Sequence, residues 1–162
     1  MIKKVHHIAY RCRDSEETRG FYEDFLGLPL VASMLLRKTK TGESVDALHT
    51  FYALKDDSCL AFFEVPNLKF EFKQQSDFDL HLALEVDQQT LHLMHSAGNS
   101  AGIETRGIVD HGIINSVYFR DPNGYVIELS AKLEGYHEEA ARASKDARTI
   151  LDSWQSARKA SI

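Results

Sequence analysis

At 162 residues, with 43% hydrophobic and 27% charged side chains, the chain has the size of one domain or of two small modules sharing a core. A net charge of −5 argues against a nucleic-acid partner, and two cysteines, Cys12 and Cys59, make no disulfide framework. The N-terminus has no apolar leader and no eighteen apolar residues run together, so no membrane partner is expected and a cytoplasmic location is the default.

In chain order, "HHIAYRCRD" (His6 to Asp14) reads as a strand that ends on a helix-capping aspartate. Glu17 follows at capping-box spacing, and Phe21, Tyr22 and Phe25 fall at helical intervals before Gly27 and Pro29 stop the helix. "RKTKTGESVDALH" is expected to be a long hairpin loop, and "DDSCLAFFEV" a closing strand. A polar joint, "PNLKFEFKQQSDFD", comes next. "DLHLALEVD" then begins as the chain began, with Asp87 as cap and a helical stripe at Leu91 and Met94 that ends near Gly98 or Gly102.

The likeness between the halves is a repeat. His7-Ile8-Ala9 matches His81-Leu82-Ala83, and Glu stands seven residues after Asp in both closing strands, Asp57 to Glu64 and Asp121 to Glu128. The fold expected is α+β: two βαβββ modules, residues 4–66 and 79–131, paired into one curved sheet because neither alone buries its sheet. They make up a domain of residues 1–131. Residues 132–162 form a C-terminal amphipathic helix, with Ala143, Ala147, Ile150, Leu151 and Trp154 as its apolar stripe.

Strand alternation puts His81 opposite the apolar face of Leu80, Leu82, Leu84 and Val86, beside small Ala83, and His7 beside Ala9. Paired by a pseudo-twofold, the modules would direct His7, Glu64, His81 and Glu128 into one concavity. A buried, unpaired carboxylate costs several kcal/mol or more, so Glu128 in an apolar strand asks for a partner. Two imidazoles and one or two carboxylates suit one divalent metal ion: Fe, Ni, Zn, Co or Mn. His6, His49, His92, His95 and His137 do not share this register and are given no role.

"HHIAYRCRD…FYEDFLGLPL", "DLHLALEVD" and "VYFRDPNGYVIEL" resemble the vicinal oxygen chelate superfamily over residues 4–131. That superfamily includes glyoxalase I, extradiol dioxygenases, methylmalonyl-CoA epimerase and the fosfomycin- and bleomycin-resistance proteins. The resemblance implies paired βαβββ modules, a metal on the inner sheet surface, and a small substrate bound through adjacent oxygens in a homodimer, its site completed within one chain or across two. Likeness to glyoxalase I makes His7, Glu64, His81 and Glu128 the metal ligands. It also makes Glu64 or Glu128 the base of an enediolate isomerisation, and Arg11 a substrate-binding residue. Likeness to the extradiol dioxygenases instead makes His7, His81 and Glu128 the ligands of Fe(II), with His111 and Tyr118 hydrogen-bonded to the substrate oxygens. The first expectation is the glyoxalase I-like reaction. The alternatives are ring cleavage and a non-catalytic resistance-type binder.

Overall fold

The computed structural model describes residues 1–39 and 41–159, so the last three residues of the expected C-terminal helix lie outside the described residues. From the N-terminus run β1 (His7–Cys12), α1 (Ser15–Arg19) continued by a π-helical turn (Gly20–Phe25), β2 (Leu30–Lys38), β3 (Ser44–Ala53) and β4 (Cys59–Glu64). The second series is β5 (His81–Val86), α2 (Gln88–Ser100), β6 (Thr105–Asp110), β7 (Ile114–Arg120) and β8 (Val126–Lys132), with α3 (Tyr136–Lys159) last. The sheets have the orders β1-β4-β3-β2 and β5-β8-β7-β6, so the βαβββ repeat is present twice.

The aspartates cap as expected. Asp14, in extended backbone, accepts the N–H groups of Glu16 and Glu17 at 2.8 Å each, and Asp87 accepts that of Thr90 at 2.6 Å. The turn after α1 closes with Leu26 N–H donating to the Phe21 carbonyl, which rotates Phe21 and Tyr22 into the core. Helix α2 comes so close to β7 that a Cβ on Gly98 would lie 2.5 Å from the Phe119 ring.

Residues 37–49 correct one expectation. They are mostly paired strand, β2 running to Lys38 and β3 starting at Ser44. Polar composition suggested a loop, but Ala47, His49 and Phe51 alternate with Leu48, Thr50 and Tyr52, a period of two that a ladder satisfies.

By its contacts the chain divides into two compact units, residues 1–82 with 120–127, and 83–119 with 128–162. In the first, Tyr22, Tyr52, Leu60 and Phe62 form the core, and the Asp-Pro-Asn-Gly turn of residues 121–124 joins them. Asp121, only 2% exposed, accepts the N–H groups of Asn123 and Tyr125, the Asn123 amide and the Tyr22 hydroxyl. Burial still pushes its carboxyl above the usual range, against the lowering effect of those bonds. Gly124, at φ +96°, lies where a Cβ would strike the Lys73 carbonyl. In the second unit Leu91, Val117, Phe119, Leu129 and Ala131 are buried. Ile150, Leu151 and Trp154 of α3 stay 64%, 49% and 61% exposed, so the apolar stripe is uncovered. No helix among the described residues is long and apolar enough to cross a membrane.

Candidate functional site

In the first unit, the register of β1 on β4 decides which side chains can meet. The strands run parallel with His7 opposite Cys59, Ala9 opposite Ala61 and Cys12 opposite Glu64. Paired residues share a face and neighbours along a strand alternate, so His7 lies with Ala9, Cys59, Ala61 and Phe63. Glu64 lies on the opposite face with Leu60 and Phe62. It is also five positions along the ladder from His7, roughly 16 Å at strand rise. Its Oε2 accepts the Ser15 N–H at 2.8 Å, and it borders a helix-side cleft of about 360 Å³ walled also by Asp14, Thr50 and Tyr52. The expectation that Glu64 joins His7 in one concavity is therefore corrected: this carboxylate faces the start of α1.

His7 is exposed at the head of β1, its ring edge-on to Phe51 at 5.7 Å between centroids. Its Nδ1 shares a hydrogen bond of 2.8 Å with Nδ1 of His6. Alternation had turned His6 away, but His6 precedes the strand and its ring bends back. His81 is exposed at the head of β5 and its Nδ1 donates to the Asp77 carbonyl at 2.6 Å. A carbonyl only accepts, so Nδ1 carries the hydrogen and Nε2 the lone pair of the neutral ring. Such a backbone partner is what fixes the tautomer of a metal-binding histidine. Arg11 is occupied differently from the glyoxalase-like expectation: its guanidinium donates to the carbonyls of Val65 and Leu68, at 3.5 and 3.1 Å, tying down the chain after β4.

In the second unit Glu128 is 5% exposed. Its Oε1 accepts the hydroxyls of Ser116 at 2.5 Å and Ser130 at 2.8 Å, and Tyr118 bonds the same carboxylate. The Tyr118 hydroxyl in turn lies 3.0 Å from Nε2 of His111, in the turn between β6 and β7, while the Arg106 guanidinium covers its ring at 4.5 Å. Burial first, then the Glu128 charge, raise the Tyr118 pKa, so the hydroxyl keeps its proton near neutrality. The structure thus joins three predicted residues, His111, Tyr118 and Glu128, in one network. The two serines were missed, although their signal is present: Ser116-x-Tyr118 and Glu128-x-Ser130 are period-two polar pairs in buried strands.

His7, His81 and Glu64 belong to the first unit, and Glu128, His111 and Tyr118 to the second. Among the described residues no three His, Cys, Asp or Glu side chains gather at one metal-binding point. The donor chemistry nonetheless fits a divalent ion: two imidazoles held through Nδ1, and a buried carboxylate oriented by hydroxyls.

Two βαβββ repeats of this order define a class of fold, and comparison with known proteins names the family. Residues 4–129 match the model of the Glyoxalase/Bleomycin resistance protein/Dioxygenase superfamily, and the chain belongs to that superfamily. It is 26% identical over 128 residues to the uncharacterized protein YaeR of Escherichia coli, covering 79% of this chain and 95% of YaeR. A glyoxalase/dioxygenase from Nostoc punctiforme is 26% identical with TM-score 0.63, over 82% of this chain and 92% of that one. A mutant of the fosfomycin resistance protein FosX from Listeria monocytogenes, complexed with Mn(II) and 1S,2S-dihydroxypropylphosphonic acid, is 18% identical. Its TM-score is 0.61, over 85% of this chain and 98% of its own, a likeness of fold.

Proposed function

We propose that this chain is a metal-dependent enzyme acting on a small substrate with adjacent oxygens, and that its reaction is extradiol-type ring cleavage of a catechol. The observation that carries the reading is the His111–Tyr118–Glu128 network, with 3.0 Å between His111 Nε2 and the Tyr118 hydroxyl. It links two substrate-binding residues of the dioxygenase pattern to a candidate ligand. The glyoxalase I-like isomerisation loses support because its spare base, Glu64, lies on the helix face, and because Arg11 is engaged with backbone carbonyls.

His7, His81 and Glu128 would hold the ion, a two-His-one-carboxylate set that suits Fe(II) among the candidates. A bound Fe(II) would supply Lewis acidity toward adjacent oxygens and open positions for substrate and O₂. The chain's own groups do the rest. Tyr118, protonated, donates to one substrate oxygen and His111 bonds the other. Ser116 and Ser130 keep the Glu128 carboxylate in one orientation. The Asp77 carbonyl sets the tautomer of His81, and the His6 ring engages Nδ1 of His7. Within the same proposal the enzyme is a homodimer, as the resemblance to the superfamily implies.

Oxygen uptake and the yellow ring-fission product, followed across a catechol panel with anaerobically Fe(II)-loaded protein, test the reading. The expected result is uptake that depends on added iron. No uptake across the panel, with turnover of a methylglyoxal–glutathione hemithioacetal instead, would replace ring cleavage by the isomerase.

A further inference from the structure

The apolar stripe of α3 is left bare by its own chain. Every residue from 141 to 158 is exposed, Ile150, Leu151 and Trp154 among them. The helix follows the two repeats and lies beyond residue 129, where the superfamily match ends. A helix draws most of its stability from packing an apolar face, and a bare apolar patch marks a contact surface. The polar side already carries ion pairs of its own, Arg142 with Glu139 and Arg148 with Asp152.

The spacing of the stripe points to what covers it. Ala140, Ala143, Ala147, Ile150, Trp154 and Ala157 recur at alternating steps of three and four, the a and d seam of a coiled coil. The seam is graded, alanine throughout its first half and Ile150 and Trp154 in its second. In an antiparallel pair with the twofold axis between residues 148 and 149, Ala147 meets Ile150 of a second copy. The same axis sets Ala143 against Trp154 and Ala140 against Ala157. Large side chains then fall opposite small ones, as a dry interface requires. A parallel pair would set Trp154 on Trp154 and leave a gap between alanines at the other end. Charge favours the same order. Glu138 and Glu139 lie in the first turn and Arg158 in the last, so antiparallel helices bring an acidic start beside a basic end.

We propose that α3 joins two copies of this chain as an antiparallel helix pair, with Trp154 of each seated over Ala143 of the other. The inference rests on the homodimer reading above and gives it a surface. It does not depend on the reaction.

Sedimentation of the full chain over a concentration series tests the surface. Wild type is expected to sediment as a dimer, and Trp154→Glu to dissociate at least about 10²-fold more readily, since a buried Trp anchor carries much of such an interface. Trp154 is the only tryptophan, so its emission should shift to the blue as wild type associates. Orientation is read by mixing Ala140→Cys and Ala157→Cys chains, each also carrying Cys59→Ser, under mild oxidation; the remaining Cys12 is buried. Disulfide-linked dimers are expected from the mixture alone, because two copies of residue 140 in the antiparallel pair stand roughly 26 Å apart by helix rise. A monomeric wild type would overturn both the helix pair and the homodimer reading. A Trp154→Glu chain as dimeric as wild type would overturn the helix pair and leave the homodimer standing. Cross-links formed by Ala140→Cys alone would overturn the antiparallel order. Should Trp154→Glu not fold, the mixture decides: no disulfide between residues 140 and 157 overturns the pair.

Discussion

The two closing strands, β4 and β8, place a glutamate at the same distance from an aspartate and use it in opposite ways. Glu128 is the third residue of β8, and Glu64 the sixth of β4. The turns before the two strands differ as well. After Asp121 the chain makes a full Asp-Pro-Asn-Gly turn, and β8 starts only at Val126. After Asp57, itself at φ +64°, β4 starts two residues on at Cys59. Glu64 accepts the Ser15 N–H at the start of α1, whereas Glu128 accepts the hydroxyls of Ser116 and Ser130. Equal spacing in sequence is not equal position in a sheet.

Substitutions in the two strands separate the roles of the two glutamates. The largest effect is expected from Glu128→Gln. Losing the ligand charge should lower iron-dependent oxygen uptake by at least about 10³-fold, whereas Glu64→Gln stays within a few-fold of wild type. Next comes Tyr118→Phe, which removes the donated hydrogen bond but keeps the ring under Arg106; kcat for catechol cleavage should fall about 10²-fold with the fold intact by circular dichroism. Asp121→Ala leaves buried donors of Asn123, Tyr125 and Tyr22 unmet, and denaturant unfolding should report a loss of about 2–3 kcal/mol. Ser116→Ala should weaken metal affinity about 10-fold, as loss of a carboxylate-orienting group does, with little change in melting temperature. The smallest change is the stability of Glu64→Gln. Its bond from Ser15 N–H survives but loses charge assistance, a cost of about 0.5–1 kcal/mol by urea unfolding.

Much of the fold was legible because the repeat wrote each signal twice. His7-Ile8-Ala9 and His81-Leu82-Ala83 marked the opening strands, and Asp14 and Asp87 cap the helices that follow them. Alternation alone puts Glu64 on one face with Leu60 and Phe62; what was not legible is the register of β1 on β4, which sets His7 opposite Cys59 and so on the other face. The strands around residues 37–49 were hidden by their lysines, threonines and glycine, which suit a solvated hairpin as well as a loop. His6 and the Asp77 carbonyl act through local backbone bends, which no side-chain periodicity encodes.

The proposed ligands are His7, His81 and Glu128, with Glu64 outside the set. Elemental analysis after anaerobic Fe(II) loading and desalting tests it directly in wild type, Glu64→Gln and Glu128→Gln. Equal iron is expected in wild type and Glu64→Gln, and almost none in Glu128→Gln. Iron lost from Glu64→Gln but kept by Glu128→Gln would contradict it.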